Sequence, residues 1–285
     1  PLIKILSFLN TVSSLLWIKI LGYKLVWTVH NVVPHDRVTA NDILITKIAG
    51  RLSDVLIVHS QDTIRQLKNL GIDVSKCVLI PMGNYNIYPN TTDRKQSRKK
   101  LSIDQNTFVF LYLGIIRKYK NLEELCKTFE GLLITHNNLL LIIAGKIHDD
   151  SQQRIITEYL AKYPHNIKSI QDYIPDEEIQ YYFHSADVSI FPFKNITTSS
   201  SVLLSLAFST PAISPKLGNI KELPDTTGFY YDPLDPDGLR KTMEKAIKEK
   251  DNLKNFAKNI KKYTDTISWE ESARKTMEVY QKLKV

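Results

Sequence analysis

The sequence predicts an α/β fold built on parallel sheets, arranged as two units of which the first is incomplete. Two observations predict it. Short runs of β-branched and aliphatic residues alternate with longer segments of helical periodicity, which is the pattern βαβ crossovers impose. A polar stretch over residues 83–105, GNYNIYPNTTDRKQSRKKLSIDQ, interrupts that alternation part-way along the chain.

In chain order, residues 1–21 read PLIKILSFLNTVSSLLWIKIL. Lys4, Asn10, Thr11, Ser13, Ser14 and Lys19 interrupt the apolar run, so it falls short of the roughly 18 apolar residues of a spanning helix. It has neither an initiator Met nor the small-residue cleavage site of a signal peptide. A buried amphipathic helix is the expectation, with contact to an anionic membrane surface as the alternative. Strands are expected over residues 24–29, 54–59 and 77–80, with helices over 37–52 and 60–70. Three strands are few for a free-standing domain, so an opening βα unit is expected to be missing.

Residues 86–105 contain Arg94, Lys95, Arg98, Lys99 and Lys100 with little apolar content, and read as a solvated linker. They lack the interleaved aromatics that stack on bases, so nucleic acid is not an expected partner. The second series places strands at 107–113, 139–144, 167–170, 188–191, 211–214 and 228–231. Helical patterns at 119–135, 150–163, 175–184, 199–208 and 235–249 separate or follow them, enough for a complete doubly wound sheet.

Composition supports this reading. The chain has 285 residues, 43% hydrophobic and 24% charged, which excludes a disordered chain and is long enough for two domains. Its net charge of +8 favours polyanionic partners such as phosphorylated small molecules or an anionic membrane face. The two cysteines, Cys77 and Cys126, lie beside apolar runs and read as small buried hydrophobes, not as a disulfide framework. That usage fits a reducing, cytoplasmic compartment.

Three segments carry chemistry. In Leu113-Gly114-Ile115-Ile116-Arg117-Lys118-Tyr119-Lys120-Asn121 a strand ends in glycine and a helix follows. Glycine lets backbone approach a ligand, a helix start offers unpaired N–H groups to an anion, and Arg117 and Lys120 supply two cations for a diphosphate. A β–α turn with solvated basic residues is the plainer alternative. In Phe191-Pro192-Phe193-Lys194-Asn195-Ile196-Thr197-Thr198-Ser199-Ser200-Ser201, five hydroxyl residues crowd the next helix start where capping needs one. That makes a second phosphate cradle, against the alternative of a capped helix with a polar loop. Both loops leave carboxyl ends of strands in one series, where open α/β sheets bind ligands. In the first unit, His30, His35 and Asp36 follow strand 24–29 and suit proton transfer or hydroxyl contact near neutral pH, against the plainer alternative of a histidine that caps a helix or satisfies loop backbone. No further His, Cys or carboxylate stands at metal-ligand spacing with them, so no metal site is expected.

Gly114, Arg117, Lys120-Asn121, Asp172-Tyr173-Ile174-Pro175-Asp176-Glu177-Glu178, Ala186-Asp187-Val188, Phe191-Pro192 and Ser268-Trp269-Glu270 occur in an order that resembles GT-B glycosyltransferases of family four. The resemblance runs over essentially the whole chain. It implies two Rossmann-like domains, the N-terminal one incomplete: an acceptor side at 1–85, a linker at 86–105, a nucleotide-sugar domain at 106–262, and a final segment at 263–285 crossing back to the first domain. It also implies metal-independent hexosyl transfer from a nucleoside diphosphate sugar, UDP or GDP, in the cleft between the domains. Arg117 and Lys120 match the pair that holds the donor diphosphate, and His30 matches the histidine near the transferred sugar. Ile174 matches the position whose backbone meets the base, and Lys194 to Ser201 match the loop facing sugar and phosphates.

The family's Glu-x7-Glu is replaced by Thr197 and Ser205, whose hydroxyls would take over the ribose or phosphate contacts. Thr197 to Ser201 with Val29-His30-Asn31 and Gly83-Asn84-Tyr85 is similar to a branch that builds bacterial surface polysaccharides. This implies a glycan or lipid-linked acceptor. His35 and Asp36 are then the nearest candidates for a base on the acceptor hydroxyl. A nucleotide-sugar epimerase of the same fold and a non-catalytic nucleotide-sugar binding module are the alternative functions.

Overall fold

A computed structural model describes residues 2–34 and 39–283, of which residues 2–8 are described as backbone. In chain order the elements are α1 (Leu2–Ile20), β1 (Val26–Val29), α2 (Ala40–Leu52), β2 (Val55–Val58), α3 (Gln61–Asn69) and β3 (Cys77–Leu79). There follow α4 (Arg94–Lys100), β4 (Phe108–Leu113), α5 (Leu122–Leu133), β5 (Leu139–Ala144), α6 (Asp150–Lys162), β6 (Ile167–Ile170), α7 (Asp176–Ser185) and β7 (Val188–Ile190). The chain continues with α8 (Ser200–Ala207), β8 (Ala212–Pro215), β9 (Gly228–Tyr231), α9 (Gly238–Lys248), α10 (Leu253–Thr264) and α11 (Trp269–Leu283). The fold is α/β with two parallel sheets.

The elements group into two compact units. The first comprises residues 1–83, Ile196–Thr198 and Ile267–Val285. Its three parallel strands run in the order β1-β2-β3, with Thr28 beside Ile57 and Val58 beside Leu79. One face buries Val29, Leu56, Val58, Leu67 and Ile72, and the other packs Ile57 and Ile80 against Val279 of α11. At the start of α11 the Trp269 ring occupies the place a side chain at Gly83 would need: a Cβ there would lie 2.6 Å from it. Ser272 Oγ donates to the Pro81 carbonyl at 2.8 Å and fixes the same junction.

Helix α1 departs from expectation. Leu9, Leu16, Trp17 and Ile20 are exposed, Ile20 at 72%. Their spacing of seven, one and three residues puts them on one helical face, which lies uncovered where a buried helix is predicted. The reason is local: α1 is held through α2 and through Lys19, which pairs with Asp54 at 2.7 Å, so its apolar stripe is turned outward. Among the described residues no helix is long and apolar enough to cross a membrane.

The second unit, Asn84–Asn195 with Ser199–Thr266, carries six parallel strands in the order β6-β5-β4-β7-β8-β9. Strands β4 (FVFLYL) and β5 (LLLIIA) are buried at every position, because helices cover both faces of the sheet. From β4 the chain proceeds outward through β5 to β6, then crosses back so that β7 lies on the other side of β4. That reversal is a topological switch point at the carboxyl ends of β4 and β7.

Residues 86–105 are not a solvated linker. They belong to the second unit and include α4, whose Arg98 is fully buried. Arg98 donates to Asp187 Oδ2 at 2.9 Å and to the carbonyls of Ser185, Asp104, Gln105 and Thr107 at 2.8–3.0 Å. Asp187 also pairs with Arg94 at 2.8 Å and accepts from the Val109 N–H at 2.7 Å. A guanidinium in this position joins α4, the end of α7 and the start of β4.

Candidate functional site

The switch point brings together the two basic and hydroxyl-rich loops. Gly114 follows β4 with a φ of 145°, and a Cβ there would face Ser201 Oγ at 3.5 Å. The loop after β7 is tied to the loop after β4 by the Lys194 N–H, which donates to the Tyr119 carbonyl at 3.0 Å. Gly145, at the end of β5, has a φ of 140°, and a Cβ there would lie 2.1 Å from the Gly114 carbonyl oxygen. Only glycine allows that approach. Gly145 is a site element missed in the sequence, although a glycine directly after a strand was its available signal.

Lys120 is half-buried, its ammonium 4.5 Å from the centre of the Phe193 ring and 5.2 Å from that of Tyr119. Burial, with the Arg117 guanidinium nearby, pushes it down to about 8. A desolvated cation beside a second cation is disfavoured until an anion arrives. Arg117 itself is exposed, as is Lys194.

Helix α8 begins in the second loop. Ser199 is its N-cap: its hydroxyl accepts from the Val202 N–H at 3.2 Å, and its own N–H donates to Asn219 Oδ1 at 2.9 Å. These bonds set the angle at which the first turn meets the Gly114 loop, and the N–H groups of Ser200 and Ser201 are those a phosphate oxygen can take. The Ser200 side chain hydrogen-bonds the Tyr85 phenol, whose pKa is raised, mainly by burial. Thr197 is buried, and Thr198 Oγ1 is buried with no hydrogen-bond partner among the described residues, an orphan that a ligand oxygen would satisfy. Asn219 was missed because nothing local to it marks a cap twenty residues away in sequence.

Ser205 does not belong to the site. Its side chain is fully buried, 2.5 Å from Ser189 Oγ and 2.7 Å from the Thr210 carbonyl. It lies one and a half turns into α8, on the face that packs against the sheet, so its hydroxyl is already used. Ile174 buries its side chain with Leu113 and Ala144, which leaves its backbone as the part a base can meet.

In the first unit His30 is exposed at the carboxyl end of β1. Its Nδ1 lies 3.2 Å from Nε2 of His59, which follows β2. His35 and Asp36 lie outside the described residues. Among the described residues no group of three or more His, Cys, Asp or Glu could hold a metal ion. Cys126 is buried, and desolvation pushes its thiol up to about 12.

Comparison with known proteins gives relatives in sequence and in fold. A D-inositol 3-phosphate glycosyltransferase of Corynebacterium urealyticum is 21% identical over 243 residues, covering 81% of this chain and 57% of its own. The chain spans about half the length of the curated relatives it matches. Among solved structures, a sucrose-phosphate synthase from Thermosynechococcus elongatus superposes with a TM-score of 0.80 at 18% identity, over 92% of this chain and 68% of that one. The Anabaena protein HepE, solved with UDP, gives 0.83 at 15% identity, over 96% and 77%. Both likenesses are of fold. The family described as "Glycosyl transferases group 1" matches residues 93–263, more than half of the chain, and it is to this family, of GT-B fold, that the chain belongs.

Proposed function

We propose that this chain transfers a hexose from a nucleoside diphosphate sugar to a glycan or lipid-linked acceptor, as a step in polysaccharide biosynthesis. The observation that carries the reading is the convergence at one switch point of Lys120, Arg117 and the start of α8. Breaking the sugar–phosphate bond puts negative charge on the departing nucleoside diphosphate. Two cations and a helix N-terminus aimed at that position lower the barrier most where charge develops. Those groups supply the positive potential by themselves, which is the basis for proposing transfer without a divalent ion. HepE is solved with UDP and with UDP-glucose, which makes UDP the first base to try, ahead of GDP. His30 is assigned to the transferred sugar, and His35 or Asp36 to the acceptor hydroxyl. The chain acts in the cytoplasm at the inner face of the membrane, with the open apolar stripe of α1 and the net charge of +8 supporting contact with anionic lipid.

A non-catalytic nucleotide-sugar binding module is the second reading. It is favoured by the burial of Ser205, which leaves no ribose-binding group where the family carries its second carboxylate.

Calorimetric titration with UDP, GDP and ADP, with and without Mg²⁺, tests the site. One nucleotide should bind equally in both conditions. Replacing both Arg117 and Lys120 by Ala should weaken it by roughly 100-fold or more, at about 1.5–3 kcal/mol per charged hydrogen bond. Binding that is indifferent to the double substitution would refute the assignment. Tight binding without sugar transfer to any acceptor would leave the module reading in its place.

A further inference from the structure

Three groups line up along the carboxyl edge of the first sheet. His30 is the first residue after β1, His59 the first after β2, and Ile80 the first after β3. The strands are parallel and in register, so these positions are neighbours. His59 Nδ1 lies 2.9 Å from the Ile80 carbonyl oxygen, and His59 Nε2 lies 3.2 Å from His30 Nδ1. The imidazole centroids are 4.9 Å apart.

A carbonyl oxygen only accepts, so His59 Nδ1 must carry a hydrogen. A neutral imidazole has one N–H and one lone pair, so His59 Nε2 is then an acceptor. The hydrogen between the rings has to come from His30 Nδ1, and neutral His30 is left with its lone pair on Nε2. Burial pushes the His59 pKa down, and the neighbouring His30 acts in the same direction, which favours the neutral ring this chain of bonds needs. The Ile80 carbonyl is a fixed anchor: the Ile80 N–H donates to the Val58 carbonyl at 2.9 Å and its side chain is buried under Val279.

We propose that His59 is a positioning residue which holds His30 in the Nδ1–H tautomer, so that His30 presents Nε2 as a hydrogen-bond acceptor for a sugar hydroxyl. The tautomer follows from the geometry of the first unit alone, and only its use on a sugar hydroxyl rests on the glycosyltransferase reading. An acceptor at this position selects a ligand group with a proton to give and discriminates against a carbonyl or ether oxygen. This is the logic by which the outer partner of a functional histidine sets its role.

The test uses the full chain with ¹⁵N-labelled histidine, and long-range ¹H–¹⁵N correlation at a pH where both rings are neutral. His30 and His59 should each show a protonated Nδ1 and an unprotonated Nε2. In His59→Phe the constraint on His30 is lost, and Nε2–H should become populated. His59→Gln keeps an acceptor at the Nε2 position and should restore the wild-type His30 pattern. In transfer assays His59→Phe should lower kcat by roughly 10–100-fold, the range for loss of an outer-shell orienting group. Affinity for the free nucleotide, which lacks the sugar, should stay unchanged, and His59→Gln should recover most of the rate. Wild-type His30 protonated on Nε2, a His30 spectrum indifferent to His59→Phe, or an unaltered kcat with the tautomer switched would each overturn the proposal. Absence of transfer in wild type would count against the glycosyltransferase reading, while the tautomer measurement would still decide the role of His59.

Discussion

Lys120 shows how one residue's surroundings become a measurable property. Its pKa of about 8, against 10.5 for a free lysine, reflects burial among rings and the neighbouring Arg117. Below about pH 8 it is charged with or without ligand, and diphosphate affinity is at its full value. Above that pH the ligand-free protein loses the proton, and a bound diphosphate must recover it. Affinity therefore falls as pH rises from about 8, and nucleotide binding at pH 9 should take up close to one proton. Calorimetry in buffers of different ionisation enthalpy reads this directly. Lys120→Arg should bind without the uptake, and equal uptake in both proteins would assign the proton elsewhere. In the ligand-free protein the linkage has its own sign. Between about 8 and 10.5 the unfolded chain holds a proton that the folded one does not, so this group makes stability rise with pH across that window.

Among elements, α4 stands where the sequence suggests a solvated linker, and the cause is particular. Arg94, Arg98 and three lysines look alike as letters, yet Arg98 is fully buried while Arg94 is exposed. Burying a guanidinium is tolerable because Asp187 and four carbonyls take its N–H groups. Arg98→Ala would strand Asp187 and those carbonyls, and should cost about 3–5 kcal/mol in denaturant unfolding. Arg94→Ala, which removes an exposed partner of the same carboxylate, should cost less than about 1 kcal/mol. Equal losses would show that α4 is held by something other than the buried ion network. The family match begins at Asp93, the residue that caps α4, so this helix lies within the same matched region as the loops after β4 and β7.

At the scale of the whole molecule the outstanding features are the net charge of +8 and the open stripe of Leu9, Leu16, Trp17 and Ile20 on α1. Apolar side chains on one face with an excess of basic charge suit shallow insertion among anionic headgroups. The chain should co-sediment with phosphatidylserine-containing vesicles and be released by high salt. Replacing Leu16, Trp17 and Ile20 with Ser should reduce binding by at least about tenfold, since each apolar side chain is worth about 1.5–3 kcal/mol when fully buried. Pelleting unchanged by these substitutions would remove α1 as the contact.

The sequence by itself determined the α/β class, the strands and the two basic and hydroxyl-rich loops that leave the carboxyl ends of β4 and β7. These are local signals. Strands β4 and β5 are uninterrupted apolar runs because a covered parallel sheet has no wet face, and a loop that meets phosphate needs glycine, cations and hydroxyls where a strand ends. Only the tertiary structure decided the strand order that makes a switch point between β4 and β7, and which hydroxyls of Thr197 to Ser205 face outward. It alone joined Arg98 to Asp187 and His59 to His30, pairs 89 and 29 residues apart. The physical reason is the same in each case. Burial, pKa and tautomer are set by the atoms that packing brings within hydrogen-bond reach, and residue spacing along the chain carries no measure of that.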